Sequence, residues 1–313
     1  MWLKKNSSFS DSINLWKASI KSPSAYLLSR FAFIAVVVLV FNISAHQCLA
    51  QPDNDNDSLE YLKNLSIEEL LQTEVTSVSK RSEQLFDAAA AVFVITQEDI
   101  KRSGARSIPE ALRMVPGLQV AHINGSTFAI TARGFNEWFS NKLLVLIDGR
   151  SVYTPLFSGV YWDIQDTVIE DIKRIEVIRG PGATLWGANA VNGVINIITK
   201  HSENTQGGLV VGGIGNIENP LVVARYGGKA GENATYRIYA KGVNRDSFNS
   251  VDGGDANDQW ENRRVGFRTD LKISPQDFLT FQGENFYGAD DFTLRFSGYV
   301  TPPYSRETEE EQT

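Results

Sequence analysis

Cysteine is almost absent from this chain of 313 residues, because Cys48 is the only one, and histidine occurs only three times. A disulfide framework and a thiolate metal site are therefore excluded after that position. A catalytic triad or a zinc hydrolase also lacks its parts, since no nucleophile and base stand in a suitable arrangement. We expect no enzyme activity, no cofactor and no bound metal.

Long hydrophobic runs are scarce as well, and the one near the N-terminus is short. It comprises the eleven residues FAFIAVVVLVF at 31–41, after five basic side chains and before Cys48-Leu49-Ala50. A helix needs about 20 residues to cross a bilayer, so this run is too short for an anchor. The layout predicts a secretory signal peptide over residues 1–50 that is cleaved after Ala50.

The charge balance is acidic, with 37 acidic and 30 basic residues. Five of the basic residues and only one of the acidic ones lie in 1–50, so the remainder is still more acidic. Without a long basic run, such a chain does not favour nucleic acid as a partner. Residues 51–73, beginning QPDNDNDS, predict a polar linker. The segment does not favour a calcium-binding loop, because Ser58 and Asn64 occupy the positions where such a loop requires glycine and glutamate.

Short strands and helices alternate between residues 92 and 200. The segment TQEDIKRSG predicts a helix with Thr96 as N-cap, Glu98 as its acidic support and Gly104 as its end. A second helix begins at Ser107-Ile-Pro-Glu and turns Leu112 inward. The segments AVFVIT, LQVAHI, TFAITARGF and KLLVLIDGRSVY predict strands. The fold class is therefore an α+β domain with a small mixed sheet.

The pattern changes after Gly207, where apolar and polar residues alternate strictly. In residues 265–273, one face carries the apolar residues and the other the charged ones: Val265, Phe267, Leu271 and Ile273 against Arg268, Asp270 and Lys272. Amphipathic strands of about ten residues with short turns and long polar loops are typical of a transmembrane β-barrel. A soluble β-sandwich has the same period, and the predicted export signal favours the barrel.

Glycine is concentrated in residues 178–200, which read IRGPGATLWGANAVNGVINIITK. The spacing of Gly182 and Gly187 is that of a phosphate-binding loop, but Ala188-Asn189 replace the required Lys-Ser/Thr. The segment also lacks the third glycine that a dinucleotide-binding loop requires. Two soluble functions are thereby excluded, and the glycines indicate backbone packed closely against backbone.

Five segments resemble the plug domain of the TonB-dependent outer-membrane receptors. They are DIKRIEVIRGPG at 171–182 with LWG at 185–187, NGVINIITK at 192–200, and the pair VLIDG at 145–149 and TARG at 131–134. The resemblance implies a plug over residues 74–200 and the N-terminal part of a barrel over 201–313. Only five or so strands fit after Lys200, so we expect a truncated barrel.

The resemblance also implies the function and the partners. It implies a monomeric outer-membrane receptor that contacts lipid and the energy-transducing protein TonB, and that imports a scarce ligand such as an iron-siderophore complex. The alternatives are a secreted plug-like ligand-binding module and a non-functional receptor fragment. A TonB box, the strand that would pair with TonB, is expected at Glu74, Val75, Thr76, Ser77 and Val78.

The ligand-binding candidates follow from the expected topology. If TFAITARGF and KLLVLIDGRSVY pair antiparallel, the loops at 121–127 and 153–162 share one end, and FNEWFSN at 135–141 lies at the other. The resemblance implies that the shared end faces the ligand. Its candidates are His122, Asn124, Ser126, Tyr153, Phe157, Tyr161 and Trp162. Three charges within apolar strands are expected to form ion pairs between plug and barrel: Arg133, Glu176 and Arg179.

Overall fold

The computed structural model describes residues 74–75, 83–84, 91–134, 136–180, 186–187, 190–250, 253–274, 277–296 and 304–312. The predicted signal peptide and linker lie outside these ranges. Within them, no helix is both long and apolar enough to cross a membrane.

Within the described ranges, the fold contains two α-helices and fifteen strands, numbered in chain order, and two short 3-10 helices at Ile169–Asp171 and Ser202–Thr205. The helices are α1 (Gln97–Ser103) and α2 (Ile108–Leu112). The first nine strands are β1 (Glu74–Val75), β2 (Glu83–Gln84), β3 (Val92–Thr96), β4 (Leu118–His122), β5 (Phe128–Ala132), β6 (Leu143–Ile147), β7 (Arg150–Ser151), β8 (Ile172–Arg179) and β9 (Gly193–Thr199). The remaining six are β10 (Gly207–Gly213), β11 (Glu218–Lys229), β12 (Ala234–Arg245), β13 (Trp260–Lys272), β14 (Phe278–Phe296) and β15 (Tyr304–Gln312).

Helix α1 begins and ends where the sequence predicts. Thr96 accepts a hydrogen bond from the Asp99 amide, and the Asp99 carboxylate accepts one from the Thr96 amide at 2.8 Å. The acidic partner of the cap is thus Asp99 and not Glu98, because a capping box needs the residue three positions after the cap. Gly104 ends the helix with φ 70°, a left-handed conformation that glycine adopts without strain.

The first domain contains the predicted mixed sheet, in the order β3-β8-β9-β6-β7. All of its pairs are antiparallel except β6 and β9, which are parallel. Strands β4 and β5 form a separate antiparallel pair. The expected pairing of β5 with β6 is therefore wrong. Arg133 and Gly134 have φ of 61° and 88°, which turns the chain away directly after β5.

The second sheet is antiparallel throughout, in the order β10-β11-β12-β13-β14-β15. Short turns at 230–233 and 273–277 join its strands at one end, which we call the turn end. The connections 214–217 and 246–259 lie at the opposite end, which we call the loop end because it contains the long connection 246–259. The alternation predicted for β13 is confirmed, since Arg264, Arg268 and Asp270 are buried on one face whereas Phe267 is 48 % exposed on the other.

The main core lies between the helices and the mixed sheet. Its fully buried members include Ile100 and Leu112 from the helices and Ile175 and Ile195 from the sheet. Burial of an aliphatic side chain of this size stabilises by about 1.5–3 kcal/mol. A second cluster joins Val168 of the first domain to residues of β11, β12 and β13. The first domain therefore packs against the face of the second sheet that carries Arg264 and Arg268, which we call the inner face.

Close backbone contact explains a glycine in the segment 178–200. A side-chain carbon added at Gly193 would lie 2.3 Å from the Ile178 carbonyl oxygen on neighbouring β8. No other residue fits at such a distance, so the strands meet there only because this position has no side chain.

Candidate functional site

Four aromatic rings form a continuous cluster on one side of the first domain. Trp138 and Phe139 come from the segment 136–141, and Phe157 and Tyr161 from the segment 153–162. The ring centroids are 6.4 Å apart for the first pair, 4.9 Å for Phe139 and Phe157, and 5.0 Å for Phe157 and Tyr161. Such tilted and edge-to-face pairs are favourable ring arrangements. We call these four residues the aromatic cluster.

A hydrogen bond and a close backbone approach join the two segments of the cluster. The Asn141 side-chain amide donates to the Phe157 carbonyl at 3.3 Å, and a β-bridge between Thr154 and Gly159 shapes the segment 153–162 itself. A side-chain carbon at Gly159 would lie 2.5 Å from the Ser140 carbonyl and 2.3 Å from the Phe157 ring. Glycine at this position therefore allows the two loops to meet.

The segment 136–141 does not lie where the sequence analysis places it. It was expected at the end opposite the loop 153–162, yet Phe139 packs on Phe157 in that loop. The reason is that KLLVLIDGRSVY is not one strand: the chain reverses at Asp148 and Gly149, which have φ of 48° and 80°, and β7 pairs antiparallel with β6. The loop 153–162 therefore returns to the start of β6, beside the segment 136–141. Trp138 and Phe139 are thus site residues that the sequence analysis missed, although two adjacent aromatic residues in a polar loop are a usable signal.

The cluster belongs to the loop end of the molecule. Asp163 follows the cluster in the sequence, and its carbonyl accepts a hydrogen bond from Asn262. Asn262 lies two residues after the start of β13, which is at the loop end. The opposite ends of β6 and β9 contact turn-end residues instead, since Arg237 donates to the Lys200 carbonyl at 2.7 Å. Exposure is substantial at the cluster and around it: Trp138 39 %, Phe139 51 %, Tyr153 39 % and Leu156 80 %.

Several predicted ligand residues have structural contacts instead. Trp162 is only 7 % exposed and belongs to the main core. Asn124 accepts hydrogen bonds from the amides of Ser126 and Thr127 and so closes its own turn. Buried Ser126 donates to Asp290 at 3.0 Å. The prediction that Trp162 meets a ligand is therefore wrong, because its ring is covered by its own domain.

His122 is enclosed by aromatic rings. It stacks on Phe128 with centroids 4.1 Å apart and meets Phe248 edge-on at 5.2 Å. Burial first, and the nearby Arg245 cation second, lower the pKa of His122 to about 4. The imidazole is therefore neutral at physiological pH, and it joins the first domain to the connection 246–259 of the sheet.

Charge pairs join the first domain to the inner face of the second sheet. Lys241 lies 2.7 Å from the Asp166 carboxylate, and both side chains are nearly fully buried. The Asp171 carboxylate forms ion pairs with Arg225 of β11 and Arg237 of β12. Further pairs are Asp148 with Arg268 at 3.2 Å, Arg106 with Glu218 at 3.4 Å and Arg150 with Glu284 at 3.8 Å.

The three charges predicted for this role make other contacts. Glu176 pairs with Arg174 of its own strand at 2.7 Å. Arg133 donates to the Arg179 carbonyl, and Arg179 donates to the Pro116 carbonyl at 2.7 Å. Ion pairing between the two parts is thus present, but the described contacts assign it to other residues. Their identity depends on the docking of sheet and domain, which no local pattern reveals.

A cavity of about 320 Å³ lies between the domain and the sheet. Its lining includes Asp148, Arg150, Arg237, Arg264, Arg268 and Glu284. These side chains pair with one another or with neighbouring carboxylates, so the cavity is polar and its charges are compensated. Within the described ranges, no group of three or more His, Cys, Asp or Glu residues is placed to hold a metal ion.

The expected TonB box is described only in part. Glu74 and Val75 form β1, which pairs antiparallel with β2 through Gln84 and Glu83. Thr76, Ser77 and Val78 lie outside the described residues. The segment is therefore extended at its start.

Comparison with known proteins assigns the first domain. Residues 84–194 match the family model of the TonB-dependent receptor plug domain. The chain thus carries a plug domain of this receptor class, followed by an antiparallel sheet, as the sequence predicts.

Curated relatives agree with that class, and a solved structure agrees with the fold. The chain is 34 % identical over 145 residues to the vitamin B12 transporter BtuB of Vibrio vulnificus, covering 46 % of this chain and 23 % of the relative. It is 36 % identical over 144 residues to the iron-regulated outer membrane virulence protein of Vibrio cholerae, covering 44 % and 22 %. The ferripyoverdine receptor of the outer membrane of Pseudomonas aeruginosa matches with a TM-score of 0.55, 18 % identity and coverage of 70 % and 28 %, which shows a shared fold. The chain spans less than a third of each of these proteins.

Proposed function

We propose that the protein acts as an outer-membrane receptor that binds a scarce ligand at its loop end and imports it with energy from TonB. The observation that carries the proposal is a plug domain docked through buried ion pairs on the inner face of an amphipathic sheet. An iron-siderophore complex is the proposed ligand class. A relative named as a vitamin B12 transporter supports uptake of a scarce small ligand, and one named as an iron-regulated outer membrane virulence protein supports a link to iron.

The outer face of the sheet supports contact with lipid. Val210, Phe267, Leu279 and Phe281 are 41–60 % exposed on this face. Exposed apolar residues in such a band are expected of barrel strands that face hydrocarbon. A secreted plug-like module would not need this band, and the comparisons do not favour that alternative.

Fractionation and uptake assays test the proposal. The complete protein should be found in the outer membrane, should migrate differently on gels before and after heating, and should support ligand uptake only when TonB is present. Recovery of the protein from soluble periplasmic extract would contradict the proposal.

The energy-coupling step is tested separately at the proposed TonB box. Val75→Pro removes a backbone N–H and fixes φ, so strand addition by TonB should fail while ligand binding at the loop end is retained. Val75→Ala keeps the N–H and serves as the control. Normal uptake by the proline variant would place the contact elsewhere, nearer Leu65 to Leu71.

A further inference from the structure

One residue of the plug is bonded through its backbone to the connection 246–259, which joins β12 to β13. The Gly125 amide donates to the Asp258 carboxylate at 2.8 Å, and the Gly125 carbonyl accepts a hydrogen bond from Arg245, the last residue of β12, at 2.6 Å. All three residues are buried. Two charged side chains from outside the plug thus satisfy both backbone groups of one plug residue. We call Gly125, Arg245 and Asp258 the Gly125 contact.

Asp258 also gives the connection 246–259 its shape. Its second carboxylate oxygen accepts a hydrogen bond from the Phe248 amide at 2.8 Å, and the Asp258 amide donates to the Ser247 hydroxyl at 3.1 Å. The Phe248 ring in turn meets His122 of the plug edge-on. Asp258, near the end of the connection, therefore bonds both to the beginning of the connection and to the plug.

The approach of the connection to the plug requires glycine at position 125. Gly125 does not have a positive φ, so alanine could adopt its backbone conformation. A side-chain carbon added there would, however, lie 1.8 Å from the Asp258 carbonyl oxygen. The space between plug and connection, and not the backbone conformation, therefore excludes a side chain.

We propose that the Gly125 contact couples the connection to the plug, so that the described residues 246–250 and 253–259 are held in place only while the plug is docked on the sheet. Arg245 and Asp258 are each 5 % exposed, and displacement of the plug would remove a hydrogen-bond partner from both. Hydrogen bonds to charged groups are among the stronger ones. By linkage, the connection stabilises the docked plug as much as the plug stabilises the connection. The inference goes beyond the proposed function, because it requires neither a ligand nor TonB.

A nitroxide spin label on Gly254→Cys reports whether the connection is held. Gly254 is exposed, and a side-chain carbon added there meets only the Ser250 hydroxyl within 4 Å, at 3.7 Å, so cysteine fits. The measurement uses the complete receptor in detergent, with any other cysteine replaced by serine. The label should be largely immobile in this parent protein, and a mobile label there would contradict the inference.

Two variants break the Gly125 contact from its two sides. Gly125→Ala and Asp258→Ala should each raise the ratio of mobile to immobile label at least about tenfold, because a lost hydrogen bond to a charged group changes a two-state equilibrium by about that factor. The matched control is Gly288→Ala on β14, where an added carbon would make only ordinary contacts at 3.8 Å or more. The control should leave the ratio unchanged.

Asp171→Asn tests the coupling from a distance, because Asp171 meets Arg225 and Arg237 and not the Gly125 contact. In a urea series, the label should become mobile at the urea concentration at which the plug becomes sensitive to protease, and both midpoints should fall together in this variant. Here the Gly125 contact itself is unchanged, so the result does not depend on the folding of Gly125→Ala.

Two results would overturn the inference. One is a label that stays immobile after the plug has become sensitive to protease, and the other is a label that stays immobile in both Gly125→Ala and Asp258→Ala. In either case the sheet alone holds the connection. Both results leave the proposed function standing, which is tested by uptake with and without TonB.

Discussion

Asp171 should be the most sensitive single position in the contact between plug and sheet. It is 1 % exposed, lies directly before β8, and faces Arg225 and Arg237. Asp171→Asn keeps the shape and removes the charge, so two buried guanidinium groups lose their counter-ion. Breaking a buried pair in this way costs about 3–5 kcal/mol.

The assay follows the urea concentration at which the plug becomes sensitive to protease in the complete receptor. For a urea dependence of about 1–3 kcal/mol per M, the midpoint should fall by about 1–5 M. The control is Glu98→Gln. Glu98 pairs with Arg102 on the exposed surface of α1, where such a pair contributes less than about 0.5 kcal/mol.

A double variant tests the cause of the loss. Adding Arg225→Met to Asp171→Asn removes one of the two uncompensated cations and should recover about 1–2 kcal/mol, since the two side chains are in contact. If Asp171→Asn unfolds at the same urea concentration as the control variant, the carboxylate does not hold the plug, and the reasoning from burial and charge is refuted.

Three further variants test other parts of the plug with the same assay. Asp148→Ala removes the acceptor for the amide and hydroxyl of Thr199 and for Arg268, and should cost about 2 kcal/mol; an unchanged midpoint would show that this turn does not anchor the plug. The pKa of His122 is about 4 in the folded protein and 6.5 in the unfolded chain, so as the pH drops the unfolded chain binds a proton first. The free energy of unfolding should therefore fall between pH 6.5 and pH 4, and His122→Phe should make this fall smaller. Leu112→Ala, at a fully buried site, should cost about 2–5 kcal/mol, and a smaller loss would indicate a loosely packed core.

Local features of the fold were predictable from the sequence because local chemistry determines them. The limits of α1 follow from Thr96 and Gly104, which satisfy its free backbone groups. The two faces of β13 follow from strict alternation, since successive side chains in a strand point to opposite sides. The mixed sheet followed from the alternation of strands and helices.

The partners of each strand were not predictable in the same way. Strand β6 pairs with β9, about fifty residues later, and not with the preceding β5. Both are short apolar strands, so their composition does not distinguish one partner from the other. A second error, the reading of KLLVLIDGRSVY as one strand where the chain reverses at Asp148-Gly149, placed the segment 136–141 at the wrong end and hid Trp138 and Phe139. Ion-pair partners such as Asp171 and Arg225 depend on the same long-range docking.

The distribution of contacts also bears on why import would require external energy. Asp171, Asp166 and Asp148 each bind a cation of the sheet, and loss of one buried pair costs about 3–5 kcal/mol. A ligand on the aromatic cluster gains about 1 kcal/mol per ring beyond burial. Ligand binding changes the equilibrium between a plug docked on the sheet and a displaced plug only by the difference between the ligand's binding free energies for the two states. The cluster lies at the loop end, and Asp148 and Asp171 meet the sheet towards the turn end. A ligand at the cluster therefore does not replace these pairs, and under the proposed function work applied through the proposed TonB box would have to break them.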